Sequence, residues 1–373
     1  MERRQFLGAS LAFGAAGSAL LTGCAPAPGA SRVVPRRADG PVRLNSNENP
    51  LGLSPAARQA ILEGLGESNR YPRQWRTELI AALAAKHGLT PEHVQLGTGS
   101  TEILQMAVQA TPTDASIVIA EPTYEDVARY AVGSGRRVAA VPLRGDWAHD
   151  VAAMRRAAGS GPALVFLCNP NNPTGSLTPC DEVDAWIAEA DPRITFIVDE
   201  AYFEFVADAG YRSAAPWIAS KPNVVVVRTF SKIYGMAGLR LGYALAQPGT
   251  IRQLALLACS NNVNQLALTA GRAALGDSAF HELSVASNRT ARAVLTAALD
   301  ELGLAYLPSQ TNFVMHRIQG PVQTYIGRMR EAGFLVGRPF PPMLDYSRVS
   351  IGVADEMERF AGALRTFRAR SWV

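Results

Sequence analysis

Between residues 92 and 245, short apolar runs alternate with helical stretches, and this alternation constrains the fold more than any other feature of the chain. The runs at 163–168, 194–198 and 224–227 are almost entirely apolar, whereas a half-exposed strand alternates apolar and polar residues. Continuous apolar runs are typical of strands buried on both faces of a parallel sheet. The pattern therefore predicts an α/β fold with a mostly parallel sheet and crossover helices.

Each of these three runs leads into a segment that carries a polar residue. Asn172 lies in the loop after the first run, Asp199 ends the second, and Lys232 follows the third by a few residues. Open α/β sheets bind their ligands outside the carboxyl ends of the strands. We therefore expect these three side chains to meet in one site.

Lys232 stands out because the 36 basic residues include only three lysines, Lys86, Lys221 and Lys232. Lys86 has the position of a cation at a helix end, and Lys221 lies in a Ser-Lys-Pro-Asn turn. A lysine that is partly desolvated and near other cations has a lowered pKa and can form a Schiff base. Lys232, which opens a glycine-rich stretch after a buried strand, is the candidate for this chemistry, the alternative being a surface loop lysine.

Asp199 and its neighbours suit a pyridoxal phosphate (PLP) site. A pyridine nitrogen stays protonated only beside a buried carboxylate, and the protonated ring then stabilises a carbanion. Asp199 can supply that carboxylate, while Tyr202 and Asn172 can contact the ring oxygen. Taken alone, Asp199 could cap a helix and the Asn-Pro segment of residues 169–175 could be a plain turn.

A phosphate site is indicated by the segment 97–102, Gly-Thr-Gly-Ser-Thr-Glu, which follows a short strand and opens a helix. Glycines allow close backbone approach, and the free N–H groups of a helix start attract anions. An ordinary Ser/Thr helix cap looks similar, and the segment lacks the Gly-Lys-Ser/Thr ending of a P-loop. Ser231 and Arg240, which flank Lys232, can add a hydroxyl and a cation to the same phosphate.

Three segments, 44–52, 171–175 and 231–243, carry a resemblance to a known family. From about residue 41 onward the chain resembles the class I/II aminotransferases, which are fold-type I PLP enzymes, and most of all their histidinol-phosphate aminotransferase branch. The resemblance implies that Lys232 forms the Schiff base, that Asp199 pairs with the pyridine nitrogen, and that Tyr202 and Asn172 contact the ring oxygen. It assigns the phosphate to Gly99, Ser100, Thr101, Ser231 and Arg240.

The same resemblance implies further contacts. Tyr124 matches the aromatic residue that stacks on the cofactor ring, and Tyr71 matches a tyrosine that reaches the phosphate from the other subunit of a homodimer. Arg348 matches the arginine that clamps a substrate α-carboxylate, and Asn47 is assigned to the substrate. The chain departs from the family pattern at Arg73, Thr98 and Thr101 and by an extra glycine in the proline-rich segment 336–342, which leaves the substrate side chain open.

The first 40 residues predict export. Arg3 and Arg4 precede an uncharged stretch, as in a twin-arginine signal, and Leu21-Thr22-Gly23-Cys24 looks like a lipobox in which Cys24 is lipidated. Residues 1–24 are therefore predicted to be an export signal and 25–40 a flexible tether, which makes the protein periplasmic or a membrane-anchored lipoprotein. The alternatives are a buried helix and a retained membrane anchor.

Residues 41–275 are predicted to form an N-terminal segment and a large PLP-binding domain, and residues 276–373 a smaller α/β C-terminal domain. A net charge of +4 without a clustered basic face argues against nucleic-acid binding. Cys168, Cys180 and Cys259 remain after the leader and predict no disulfide framework, and the scattered histidines indicate no metal site.

We predict an aminotransferase that moves an amino group between an L-amino acid and a 2-oxo acid. Within the class, the alternative is transamination of histidinol phosphate, which the leader disfavours because histidine biosynthesis is cytoplasmic. A PLP-dependent lyase or decarboxylase and a catalytically silent binding protein are the remaining alternatives. Arg348 favours transamination over decarboxylation, because it holds the carboxylate that a decarboxylase releases.

Overall fold

The computed structural model describes residues 40–373. The predicted export signal and the predicted tether up to residue 39 lie outside the described residues. Within them, the strands are β1 (Val42–Leu44), β2 (Val94–Gly97), β3 (Ser116–Glu121), β4 (Val138–Pro142), β5 (Ala163–Cys168), β6 (Ile194–Asp199), β7 (Val224–Thr229), β8 (Gly242–Leu245), β9 (Phe313–Arg317), β10 (Phe334–Val336) and β11 (Tyr346–Ser350).

The α-helices of the same range connect or cover these strands. They are α1 (Pro55–Gly64), α2 (Arg73–Lys86), α3 (Ser100–Ala110), α4 (Asp126–Gly133), α5 (Val151–Ala158), α6 (Cys180–Glu189), α7 (Pro248–Ala255), α8 (Gln265–Gly276), α9 (Ser278–Glu301), α10 (Val322–Glu331) and α11 (Ala354–Ala369). None of the helices between residues 40 and 373 has both the length and the apolar character required to cross a bilayer.

A seven-stranded sheet in the order β2-β8-β7-β6-β5-β3-β4 forms the centre of the structure. The strands from β7 to β4 in this order pair in parallel, and β8 runs antiparallel to both of its neighbours. Every residue of β5 and β7 is buried, as the continuous apolar runs predicted. The predicted α/β fold with a mostly parallel sheet is therefore confirmed.

Apolar side chains cover both faces of this sheet. Val165 and Leu167 of β5 belong to one cluster of buried residues, while Leu164 and Phe166 belong to another that includes Ile103 of α3. Successive side chains of a strand point to opposite faces, so both faces must be covered by helices. Because both faces are covered, a ligand can reach the sheet at the carboxyl ends of its strands.

A third cluster of buried residues joins the segment after residue 40 to the C-terminal elements. β1 pairs in parallel with β10, β9 pairs antiparallel with β11, and Leu44 packs in the same cluster as Leu295 of α9 and Phe360 of α11. The sequence predicts that residues 41–55 pack against the C-terminal region, and this is observed for β1. It also predicts a long helix from about Asp277 to Leu302, which corresponds to α9.

The sequence from Thr250 to Leu275 predicts one continuous helix. This prediction is wrong, because the chain breaks between α7 and α8. Asn261 adopts a left-handed backbone with φ of 52°, and Asn264 caps α8 by accepting a hydrogen bond from the Ala267 amide at 2.8 Å. Asn262, between them, donates through its side-chain amide to Glu102 of α3 at 2.6 Å. The apolar residues on both sides of the break concealed Asn264, whose side chain begins α8.

Candidate active site

A cavity of about 230 Å³ opens at the carboxyl ends of β5, β6 and β7. The register places Cys168, the last residue of β5, beside Asp199, the last residue of β6. Its wall is formed by Ser46, Glu48, Ser100, Thr101, Tyr124, Cys168, Asn172, Asp199, Ala201, Tyr202, Thr229, Ser231, Lys232, Ala237 and Arg240. The structure thus brings together most of the site residues that the sequence predicted, from five separate segments.

Asp199 is buried at the base of the cavity, with 3% of its surface exposed. Its carboxylate accepts a hydrogen bond from the Ala201 amide at 3.1 Å. Burial raises the pKa of Asp199 to about 7, because a charged carboxylate loses hydration there, and Lys232 opposes this rise only in part. This side chain is therefore suited to a ligand that brings a cation to it.

Lys232 is partly buried, and its Nζ lies 5.7 Å from the centre of the Tyr202 ring. Burial lowers the pKa of Lys232 to about 8, and the nearby cations Arg348 and Arg240 lower it further, while Glu48 and Asp199 act in the opposite direction. A substantial fraction of this amine is neutral near physiological pH, and a neutral amine is the nucleophilic form.

The other two lysines are held elsewhere. Lys86, in the last turn of α2 as predicted, donates to the Tyr234 hydroxyl at 2.9 Å, and Lys221 donates to the Ala188 carbonyl at 2.6 Å. Neither lines the cavity. Lys232 is the one lysine of the chain that faces Asp199 across it.

The predicted anion site lies at the N-terminus of α3. Gly99, with φ of +74°, precedes the helix, and a Cβ atom at this position would lie 2.4 Å from Nη2 of Arg240. Arg240 is held by donating from Nη1 to the Ala237 carbonyl at 2.9 Å. The glycine thus permits a guanidinium to lie beside the free N–H groups of the helix start, which is a strong arrangement for a phosphate.

Arg348, on β11, is buried and contacts Asn172, which lines the cavity. Its Nη1 donates to Oδ1 of Asn172 at 2.7 Å and its Nη2 to the Asn45 carbonyl at 3.1 Å, while its buried Nε has no hydrogen-bond partner. The guanidinium lies 4.5 Å from the centre of the Phe340 ring. Burial lowers the pKa of Arg348 to about 10, so it remains a cation at neutral pH.

The extra glycine noted in the sequence, Gly337, lies against this arginine. Its amide donates to the Arg348 carbonyl at 2.8 Å, and a Cβ at residue 337 would lie 2.8 Å from the same oxygen. The departure from the family pattern thus permits the close approach of the two backbones at the end of β10.

A second pocket adjoins the first and also reaches Lys232; we call it the substrate pocket. Its lining residues are Ser46, Asn47, Thr123, Tyr124, Glu125, Asp126, Asn172, Lys232, Arg338, Phe340 and Arg348. Arg338 pairs here with Glu125 at 2.6 Å, and both side chains are about half exposed. The sequence analysis did not predict this ion pair. The available signal was the position of Arg338 in the proline-rich segment 336–342, which departs from the family pattern.

Two predicted site residues, Asn47 and Tyr71, do not line the first cavity. Asn47 is buried, and its side-chain amide bonds Tyr202 and Ser350. Tyr71 is 85% exposed and does not line either pocket.

Comparison with known proteins identifies the family. Residues 39–364 match the family model described as aminotransferase class I and II. A histidinol-phosphate aminotransferase of Cupriavidus pinatubonensis is 39% identical over 331 residues, which cover 87% of this chain and 88% of that protein. The histidinol-phosphate aminotransferase of Sinorhizobium meliloti, solved in complex with pyridoxal-5'-phosphate, is 28% identical with a TM-score of 0.83, covering 89% of this chain and 92% of the other.

This chain belongs to the class I and II aminotransferase family. It is a PLP-dependent aminotransferase with the fold of the fold-type I PLP transferases. The solved L-threonine-O-3-phosphate decarboxylase of Porphyromonas gingivalis has the same fold, with a TM-score of 0.77 at 24% identity.

The residues of the cavity fit PLP. Asp199 presents a buried carboxylate to which the protein itself supplies a backbone N–H and no bonded cation. Lys232 presents an amine of lowered pKa, and the cradle formed by Gly99, the start of α3 and Arg240 has the space and charge for a phosphate. Tyr124 lines the cavity and is fixed by donating to Oδ2 of Asp126 at 2.6 Å.

Proposed function

We propose that this enzyme transfers amino groups between an L-amino acid and a 2-oxo acid in the cavity described above. The observation that carries the proposal is the 2.7 Å hydrogen bond from Arg348 to Asn172, because it places a buried guanidinium beside the cofactor cavity. A planar guanidinium binds a carboxylate through two parallel hydrogen bonds. An α-carboxylate held there presents the α-carbon toward Lys232.

Residues of this chain then perform separate tasks. Bound PLP supplies an electron sink for negative charge at the substrate α-carbon. Asp199 would pair with the ring nitrogen of PLP, and the Lys232 amine would carry the proton to and from the α-carbon as a general base and acid. Tyr202 and Asn172 would contact the ring oxygen, and Tyr124 would pack on the ring. Gly99, Ser100, Thr101, Ser231 and Arg240 would hold the phosphate.

Arg348 also argues against the alternative reactions. A decarboxylase releases the carboxylate that this arginine is placed to hold, and a silent binding protein has no need for an amine of lowered pKa opposite a buried carboxylate. The decisive experiment mixes the purified PLP-loaded protein with single amino acids and with histidinol phosphate, and follows the cofactor absorbance for the first half of the reaction. If no donor changes the absorbance, the aminotransfer proposal fails.

Arg348→Ala should raise KM for amino acid donors roughly ten- to hundredfold, the value of a charge-assisted bidentate contact, with PLP content unchanged. Steady-state kinetics with several donors measures this. Arg338→Ala is the matched control, since it removes a second arginine of the substrate pocket without touching Asn172; donors without a second anion should keep their KM. If donors lacking a carboxylate prove best and ignore the loss of Arg348, amino acids are not the primary donors.

That last outcome would favour histidinol phosphate, the second candidate substrate. Two observations support it: the relatives named above are histidinol-phosphate aminotransferases, and Arg338 gives the substrate pocket a second cation for a distal phosphate. With this substrate the effects of the two arginine substitutions should reverse in rank.

We further propose a homodimer in which Tyr71 reaches the phosphate of the partner's cofactor. Tyr71 is 85% exposed. Leu62 and Leu65, which precede it closely in sequence, expose 55% and 52% of their surface, and Leu256, in the connection between α7 and α8, exposes 86%. α1 and α8 pack closely against each other. A Cβ atom at Gly64 of α1 would lie only 2.8 Å from the side chain of Gln265 in α8. Large apolar residues exposed to this extent are consistent with an interface. Sedimentation that finds only monomers would contradict the dimer.

Export and lipid anchoring through Cys24 are also proposed. The family match begins at residue 39, so the twin-arginine pair and the lipobox precede the catalytic region. The membrane contact then involves the leader alone, and stable anchoring is expected because bacterial lipoproteins carry several acyl chains.

Replacing Arg3 and Arg4 with lysines should leave active enzyme in the cytoplasm, because folding and cofactor loading do not depend on the leader. The same replacement at Arg36 and Arg37, in the tether, is the matched control and should not change localisation. Cell fractionation with an activity assay and mass spectrometry of the N-terminus measures both. Wild-type activity found wholly in the cytosol with an intact N-terminus would refute export and leave the catalytic proposal untouched.

A further inference from the structure

Asn47 occupies an unusual position between the cofactor cavity and the C-terminal strands. It is 2% exposed and adopts a left-handed backbone with φ of 52°, which few residues other than glycine adopt. Its carbonyl accepts a hydrogen bond from Nδ2 of Asn312 at 2.9 Å, and its amide N–H donates to Oγ of Ser350 at 2.7 Å. The backbone of this residue is therefore held on both sides.

The side chain of Asn47 has a defined orientation. Ser350 Oγ accepts from the Asn47 backbone, so its own hydrogen is free to donate to Oδ1 of Asn47, at 3.1 Å. This contact turns Nδ2 of the same amide toward the Tyr202 hydroxyl, 3.0 Å away. Because an amide nitrogen can only donate, the Tyr202 oxygen is the acceptor in this bond.

The direction of that bond decides where the hydroxyl hydrogen points. With one lone pair of the Tyr202 oxygen occupied by Asn47, its hydrogen must point elsewhere, and Tyr202 lines the cavity that contains Asp199 and Lys232. We propose that Asn47 is a positioning residue that turns the hydroxyl hydrogen of Tyr202 toward the ring oxygen of bound PLP. The proposal rests on the proposed function, which places that oxygen at Tyr202, and it replaces the predicted substrate contact of Asn47.

The same network connects the cofactor side to the substrate side. Ser350 lies two residues beyond Arg348 on β11, so the strand that carries the substrate arginine also orients the amide that orients Tyr202. A shift of β11 would therefore be transmitted to the Tyr202 hydroxyl through two hydrogen bonds.

Asn47→Gly tests this assignment without backbone strain, because glycine adopts a positive φ freely. The readout is the pH midpoint of the visible absorbance change of the PLP-loaded protein. A hydroxyl that donates to the ring oxygen stabilises negative charge there, so loss of its alignment should raise the midpoint by about one pH unit, as expected for a charge-assisted hydrogen bond. Asn47→Asp, whose carboxylate accepts the hydroxyl hydrogen, should raise the midpoint at least as much.

The control is Tyr202→Phe, which should raise the midpoint by itself and make it insensitive to Asn47→Gly. A midpoint that does not move in Asn47→Gly, or that moves equally in the Tyr202→Phe background, overturns the proposal. An unmoved midpoint with a raised KM would restore the substrate contact, and a lowered Tm alone would indicate a purely structural role. The absorbance titration needs only bound PLP, so it gives its answer even if no amino donor is turned over.

Discussion

Lys232→Ala is expected to abolish amino transfer while leaving PLP bound. Lys232 has an amine of lowered pKa and is the only one of the three lysines that lines the cavity, so neither of the others is placed to act as the nucleophile. General acid–base catalysis by a positioned side chain typically increases the reaction rate roughly 10²- to 10⁴-fold, and the variant would lose at least this contribution. The phosphate cradle at the start of α3, with Arg240, does not involve this lysine and should retain the cofactor. Turnover assays and the PLP content of the dialysed protein measure both effects.

The chain supplies matched controls for this experiment, because it has only two other lysines. Lys86→Ala and Lys221→Ala remove amines bonded to Tyr234 and to the Ala188 carbonyl, away from the cavity, and should keep activity. Borohydride reduction of the wild-type protein should fix the cofactor on the peptide that contains Lys232. Labelling of either other lysine, with turnover preserved in Lys232→Ala, would overturn the site.

Asp199→Asn is expected to lower kcat by roughly 10²- to 10⁴-fold. The asparagine keeps the size and can still accept the Ala201 hydrogen bond, but it cannot hold a proton on the ring nitrogen. Breaking a buried ion pair costs about 3–5 kcal/mol, and each 1.36 kcal/mol is about tenfold in rate. Steady-state kinetics of the fully PLP-loaded variant measures the loss. A change of only a few fold would show that Asp199 does not pair with the ring.

The apoprotein offers an independent test of the same residue. In the folded state the pKa of Asp199 is raised to about 7 from its usual value of 3.8, so the folded chain binds more protons than the unfolded chain between these values. Stability therefore falls as pH rises through this window. Without PLP, Asp199→Asn should be the more stable protein above pH 7, and PLP should stabilise the wild type more than the variant. Thermal unfolding with and without PLP measures this. If the apo wild type is at least as stable as apo Asp199→Asn above pH 7, burial of the Asp199 carboxylate does not carry the expected cost.

Local sequence was sufficient for the sheet and the cofactor side of the site. The continuous apolar runs predicted β5, β6 and β7, and parallel strands place their carboxyl ends at one edge, so Asn172, Asp199 and Lys232 could be grouped before the fold was known. The glycine and hydroxyl pattern before α3 likewise predicted its anion site. The break between α7 and α8 was missed because apolar residues lie on both sides of the capping Asn264. The bond from the neighbouring Asn262 to Glu102, 160 residues away, has no local signal.

Periodicity and scarce residue types therefore predict the sheet, the edge at which its strands end, and Lys232 as the candidate nucleophile. The packing of distant segments decides which side chains line the substrate pocket. Arg348 reaches Asn172 across 176 residues, and Asn47 reaches Tyr202 across 155. Such contacts depend on how β1, β10 and β11 pack on the ends of the large sheet. No local pattern encodes them, because a hydrogen bond requires its two atoms to be positioned to within a fraction of an ångström by the whole fold.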